Sequence, residues 1–247
     1  MSQVLSFIIP AYNESATIET ITRKVMGLEL PKGFGKEIII INDCSGDNTL
    51  EIINKIASEN KIVKVLDNAA NLGKSQTVRK GILESTGDYV VVQDADLEYE
   101  PADIVFLLEN LLKHDCDVAY GNRFGKFNGV IYWKNFLGNI FLSSISNLFT
   151  IWHTRVAIPD MEVCYKLVKG PIFRDIAKNI QSTSNFGIEP EITAKLSKYH
   201  LNKKGDFLKF IILPVSYTPR SVEEGKKMKA FSDGFKALVE IFRFNLF

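Results

Sequence analysis

Short, nearly continuous apolar runs alternate with stretches of helical period through the first half of the chain. The runs are "VLSFII" (4–9), "EIIIIN" (37–42), "IVKVL" (62–66) and "YVVVQ" (89–93), all rich in β-branched residues. Runs of this kind suit strands buried on both faces. Between them, Ile18, Ile21, Val25 and Leu28 form one helical stripe. Asp47 or Asn48 caps a helix carrying Leu50, Ile53, Ile56 and Ala57, and Ser75 caps one carrying Val78, Ile82 and Leu83. Pro101 suits the first turn of another, with Ile104, Leu107, Leu108, Leu111 and Leu112. "DVAYGN" (117–122) reads as a further strand. The order predicts an α/β fold with a mostly parallel sheet, helices on both faces, and ligands beyond the carboxyl ends of the strands.

The second half is less regular. Residues 136–152, "FLGNIFLSSISNLFTIW", have helical character but carry Ser, Asn and Thr among the apolar positions. At 1.5 Å per residue the stretch is roughly 25 Å long, short of a bilayer's hydrocarbon core. "PEITAKLSKYH" (190–200) predicts a helix with Pro190 in its first turn, and "FLKFIILPVSYTPR" (207–220) a strand. From Phe231 to Phe247 a last helix has Phe231, Phe235, Leu238 and Phe242 on one stripe.

Composition narrows the classes. The 247 residues are 46% hydrophobic and 24% charged, which allows a sizeable core and argues against wholesale disorder. The net charge of +1 gives no field that would gather nucleic acid. Cys44, Cys116 and Cys164 are widely spaced, which points to free thiols in a reducing compartment and to no zinc site. The start, "MSQVLSFIIPAYNE", lacks the pattern of a signal peptide, and no run predicts a transmembrane helix. His114, His153 and His200 have no ligand spacing.

Two nucleotide motifs are excluded. Gly73-Lys74-Ser75 looks like the end of a phosphate-binding P-loop, but the position of its first glycine holds Asn68. "GFGKEI" ends in the wrong residue for a dinucleotide fingerprint and precedes a strand. The acids of "VVVQDADLEYEP" fit another chemistry. Side chains two apart in extended chain point the same way, so Asp94, Asp96 and Glu98 could offer hard oxygen ligands to one Mg²⁺ or Mn²⁺. The same acids would also serve as a solvated strand end. Pro10, Tyr12 and Glu14 follow the first strand, and Asn42 and Asp43 the second. There an aromatic ring could lie against a base and carboxylates could accept from base or ribose, although each residue alone also suits a turn.

Taken together, "FIIPAYNE", "IIIINDCSGDNT", "NLGKSQTVRKGI", "TGDYVVVQDADLEYEP" and "YGNRF" resemble glycosyltransferase family 2, whose members have the GT-A fold. "DMEVCYKLVKG", "FGIEPEITAK" and "PVSYTPRSVEEGKKM" resemble its dolichyl-phosphate mannosyltransferase-like branch, which loads sugars onto polyprenyl phosphates. The resemblance implies one GT-A domain over 1–247, with a nucleotide-sugar-binding half (1–125) and an acceptor-side half (126–247) ending in an amphipathic helix. It implies that Pro10, Tyr12, Glu14, Asp43 and Lys74 hold the nucleotide and that Asp94 and Asp96 are the DxD-type metal pair. Glu98 stands where the branch often has Gln as a further metal contact. Arg123 and Arg220 would hold phosphates, and Lys226 or Lys227 would serve on a lid. The chain departs from the common pattern in having Asn42-Asp43 for a double Asp and Cys44 where Gly is common.

The implied reaction is inverting, metal-dependent transfer of a hexose from a UDP- or GDP-sugar to a polyprenyl phosphate, feeding cell-surface glycan or glycoprotein synthesis. A phosphate acceptor is already an anionic nucleophile and needs cationic positioning more than a general base. Two alternatives remain: transfer to a saccharide hydroxyl, which needs a carboxylate base, and a non-catalytic nucleotide-sugar-binding subunit. Glu189 and Glu191 either contact the sugar or supply that base, and Glu191 equally suits the first turn of a helix. A lipid acceptor implies a cytoplasmic protein peripheral at the membrane face, with or without an anchoring partner. Residues 136–152 and the C-terminal stripe would then dock on lipid, with Lys203, Lys204, Lys226, Lys227 and Lys229 facing headgroups. Packing is the commoner use of such stripes.

Overall fold

The computed structural model describes residues 2–126, 133–184, 187–201, 205–219 and 230–246. Arg220, Lys203, Lys204, Lys226, Lys227 and Lys229 lie outside them. The predicted strands form as β1 (Gln3–Ala11), β2 (Phe34–Asn42), β3 (Val63–Asp67), β4 (Tyr89–Val92) and β5 (Val118–Asn122). Between them run α1 (Ile18–Gly27), α2 (Thr49–Glu59), α3 (Gly73–Glu84) and α4 (Ala102–Lys113). The second half adds α5 (Trp133–Thr154), β6 (Lys166–Lys169), α6 (Gly170–Ala177), α7 (Ile188–Ser197), β7 (Phe210–Pro214) and α8 (Ala230–Leu246).

The sheet order is β3-β2-β1-β4-β6-β5-β7, and every pairing is parallel except those of β6. Ile38 to Ile41 of β2 are wholly buried. Each such side chain contributes roughly 1.5–3 kcal/mol through burial, so the apolar run anchors this half of the sheet. Parallel register brings Ala11, Asn42 and Asp67 level, so the loops after β1, β2 and β3 leave from one edge. Because β6 runs antiparallel between β4 and β5, its upstream end meets that same edge. Residues 158–165 are thereby delivered to the place where the parallel strands end.

Four local expectations change. β6 and α6 were not visible in the periodicity, because "KLVK" is too short to show a pattern. The strand expected over 207–220 contracts to β7, with isolated bridges His200–Phe207 and Tyr99–Tyr217 beside it. Ser75 does not cap α3; it is buried inside the first turn and its hydroxyl donates to the Ser184 carbonyl. In α8 the inward positions are Ala237 and Ile241, whereas Phe235 and Phe242 are exposed, so the stripe is rotated toward the side that packs on α5 and α7.

Helix α5 buries hydroxyls beside Leu142 and leaves several large apolar side chains outside. Ser143, Ser146, Thr150 and Thr154 face inward, with Thr150 0% exposed, while Leu148 is 70% and Trp152 80% exposed. The inner hydroxyls are satisfied. Thr150 Oγ1 donates to the Ser146 carbonyl (3.1 Å) and Thr154 Oγ1 to that of Thr150 (3.2 Å), while Ser143 Oγ accepts the Met161 N–H (2.9 Å). Asn147 exchanges two hydrogen bonds of 2.9 Å with the backbone of Ile158. No helix among the described residues is long and apolar enough to cross a membrane.

Candidate functional site

The strand ends place the predicted residues that the structure describes around one edge. Pro10 lies within β1, and Tyr12, just past the strand, has an exposed ring. Glu14 follows. Its N–H donates to Thr49 Oγ1 (2.9 Å), and its carboxylate accepts from Thr17 Oγ1 (3.0 Å). Asn13 at positive φ lets its side chain accept the Gly46 N–H (2.8 Å), tying the loop after β1 to the loop after β2.

Asp43 is buried and committed to the fold. Its Oδ1 accepts from Asn68 Nδ2 (2.9 Å) and the Leu72 N–H (2.8 Å), and its Oδ2 accepts the Gly73 N–H (2.9 Å). Gly73, at φ +79°, can turn that N–H toward the carboxylate. An aspartate on the first amides of α3 satisfies donors that the helix itself leaves open.

Lys74, one residue into α3, lies between two acids. Its Nζ is 2.9 Å from Asp94 Oδ1, after β4, and 3.1 Å from Glu189 Oε1, in the first turn of α7. Burial works against its charge, but Asp94 and Glu189 outweigh it and raise Lys74 well above the usual lysine range. Asp94 is held below its ordinary value: burial pulls upward and Lys74 pulls down harder. One ammonium thus joins the acid loop of the first half to a helix of the second.

The alternation of Asp94, Asp96 and Glu98 does not carry over as an extended chain. The strand ends at Val92 and residues 95–98 bend. Asp96 Oδ1 accepts the Glu98 N–H (3.0 Å), an Asx-type turn, and Glu98 Oε2 accepts from Tyr217 Oη (2.8 Å). Among the described residues no three acids, histidines or cysteines are grouped closely enough to cage a metal ion.

Arg123, just after β5, is clamped by Asp160. Nε and Nη2 reach Oδ2 and Oδ1 at 2.7 and 2.6 Å, and the Arg123 N–H meets Oδ2 at 3.0 Å. The guanidinium also lies 5.0 Å from the Tyr217 ring centroid. Burial opposes its charge, but neighbours including Tyr99 and Asp160 raise its pKa.

The structure separates the two glutamates of "FGIEPEITAK". Glu189 turns to Lys74, whereas Glu191 is buried and accepts the N–H groups of Gln181 (2.7 Å) and Ser182 (2.8 Å), a structural latch. Sequence reasoning missed Asp160, Glu162 and Lys166. Burial, then the charge of Glu189, pushes the Glu162 carboxyl up to about 8. Lys166 is buried, donates to the Val163 carbonyl and has its pKa lowered by burial. The available signal was "DMEVCYKLV", where ionisable residues interrupt an apolar approach to a strand.

Against known proteins, residues 6–166 match the model of glycosyl transferase family 2. The chain is 41% identical over 192 residues to poly-beta-1,6-N-acetyl-D-glucosamine synthase of Staphylococcus aureus (strain COL), covering 66% of this chain and 45% of that one. It is 29% identical over 222 residues to dolichol-phosphate mannosyltransferase of Pyrococcus furiosus, covering 90% of this chain and 58% of the relative. The chain therefore spans about half the length of these curated relatives. Glucosyl-3-phosphoglycerate synthase from Mycobacterium tuberculosis, solved with Mn²⁺, UDP and glucosyl-3-phosphoglycerate, shares the fold at a TM-score of 0.64 and 16% identity, over 98% of this chain and 80% of that one. The sheet, its edge loops and the family match over most of the chain agree: this chain belongs to glycosyl transferase family 2.

Proposed function

We propose that the chain transfers a hexose from a UDP- or GDP-sugar to a polyprenyl phosphate, with inversion at the anomeric carbon. The observation that carries this reading is the Lys74 bridge between Asp94 and Glu189, which ties the acid loop to the acceptor-side helix. The loops after β1 and β2 would receive the nucleoside, with the exposed ring of Tyr12 against the base and Glu14 beside it. Asp43 would act by holding the loop that leads into α3.

Asp94, Asp96 and Glu98 offer oxygen ligands only, which suits Mg²⁺ or Mn²⁺; these ions take one or two carboxylates and complete their shell with water and substrate phosphates. Such an ion would arrive with the diphosphate of the donor. Bound there, it would neutralise charge on the departing diphosphate. Lys74 would keep Asp94 in place beside the leaving group. Arg123, its plane fixed by Asp160, and Arg220 would position phosphate oxygens, a task suited to the guanidinium fork. The acceptor oxygen bonds to the anomeric carbon as the bond to the diphosphate breaks, and the nucleoside diphosphate leaves.

The outward face of α5 supports a lipid acceptor. Leu137, Phe141, Leu148 and Trp152 are exposed along it, and α5 carries no acid. Such a face suits the interface of a bilayer, at its cytoplasmic side in this reading. A second reading, transfer to a saccharide hydroxyl, is favoured by Glu189, a buried carboxylate able to serve as base, and by the likeness to the staphylococcal poly-beta-1,6-N-acetyl-D-glucosamine synthase.

Labelled UDP- and GDP-sugars with Mn²⁺, offered to short polyprenyl phosphates or to oligosaccharides, test both readings. Product on the lipid phosphate, lost on the order of 10²-fold or more in Asp96→Ala, is the expected result. Full turnover by that variant overturns the assignment of the acid loop. Product only on the oligosaccharide, abolished by Glu189→Gln, selects the second reading.

A further inference from the structure

Two carboxyl oxygens remain unused at the junction of the two halves. Glu162 Oε1 and Glu189 Oε2 are shut off from solvent, and neither has a hydrogen-bond partner among the described residues. Native proteins seldom leave such an atom unsatisfied, so each needs an explanation. The residues come from different elements: Glu162 lies upstream of β6, and Glu189, 8% exposed, in the first turn of α7. Glu189 lines a small cavity with Lys74, Cys164 and Lys166, walled by Val78, Phe173 and Ile188. Its other oxygen is paired with Lys74. The groups whose charges act on Glu162 are Glu189 from α7, Lys166 from β6, Arg123 after β5, and Asp160. Arg123 and Asp160 are spent on each other, and Lys166 on the Val163 carbonyl.

We propose that Glu162 and Glu189 together form a hydroxyl-binding subsite for the transferred hexose, Glu162 donating through its carboxyl O–H and Glu189 accepting at Oε2. The proposal rests on the nucleotide-sugar reading above and names residues for the sugar. A sugar hydroxyl both donates and accepts, so its complement is one neutral acid and one carboxylate. Two carboxylates could only accept. Burial and the neighbouring Glu189 keep the Glu162 proton on to about pH 8, which supplies the donor near neutrality. A subsite of this kind discriminates against a deoxy sugar, which would strand both oxygens.

The test titrates the chain with UDP, UDP-glucose, UDP-N-acetylglucosamine, GDP and GDP-mannose, and takes the affinity of each sugar nucleotide relative to its nucleotide. For the sugar nucleotide that gains most, that ratio should fall roughly 10- to 100-fold in Glu162→Ala. In wild type it should also fall as pH rises through about 8, when Glu162 loses its donor hydrogen. Glu162→Gln keeps an N–H donor, so it should retain most of the ratio and lose the pH step. A wild-type ratio and pH step in folded Glu162→Ala overturn the subsite. If that variant does not fold, a wild-type pH step in Glu162→Gln overturns it equally. Nucleotide-sugar binding to which the sugar adds nothing sinks the subsite alone, whereas no binding of any sugar nucleotide takes the donor reading down with it.

Discussion

Helices α4 and α5 are both rich in apolar residues but differ in which of them they bury. α4 turns Ile104, Leu107, Leu108 and Leu111 onto the sheet and leaves Glu109 outside. α5 turns Ser143, Ser146, Thr150 and Thr154 inward and leaves Leu137, Phe141, Leu148 and Trp152 outside. An apolar stripe therefore predicts that a face avoids water without saying what covers it. In α4 the cover is the protein's own sheet. In α5 the inner face mixes Leu142 with hydroxyls, and through Asn147 and Ser143 the helix holds Ile158 and Met161, on either side of Asp160.

Three variants sharpen the contrast. Leu107→Ala should cost the most, about 2–5 kcal/mol of stability in a urea titration, because it opens a cavity against a buried sheet. A negligible loss would mean that α4 is no better seated than the outer face of α5. Asn147→Ala should cost about 1–3 kcal/mol by stranding the N–H and carbonyl of Ile158. It should also weaken turnover beyond its effect on folding, since the Asp160 segment loses its mount; unaltered turnover would count against that coupling. The double change Leu148→Gln with Trp152→Gln should shift stability least, within about 0.5 kcal/mol. It should nonetheless reduce co-sedimentation with anionic vesicles, and undiminished sedimentation would remove α5 from the membrane reading.

The same contrast explains what was legible in the sequence. Ile38 to Ile41, with their neighbours at each side, announced a doubly covered parallel sheet because burial on both faces leaves no polar alternation to misread. The loops after β1, β2 and β4 were legible because they follow strands of the same direction. Lys74 was expected near nucleotide, but its pairing with Asp94 and Glu189 was invisible, since Glu189 comes from a helix far along the chain. Asp160 and Glu162 escaped notice for a topological reason. A strand of reversed direction brings its preceding segment to the ligand edge, and β6 is too short to declare itself. The bend after Ala95 likewise broke a two-residue alternation that only an extended chain would keep.

Asp43 has a consequence for selectivity. A Gly-Lys-Ser at the head of a helix ordinarily offers its amides to a phosphate, but here the amides of Leu72 and Gly73 already grip a carboxylate from the neighbouring strand end. The helix carries a resident counter-anion, and a free phosphate or nucleotide triphosphate tail approaching it meets like charge. The Gly73-Lys74-Ser75 stretch thus resembles a phosphate cradle whose leading amides are already filled from within the protein.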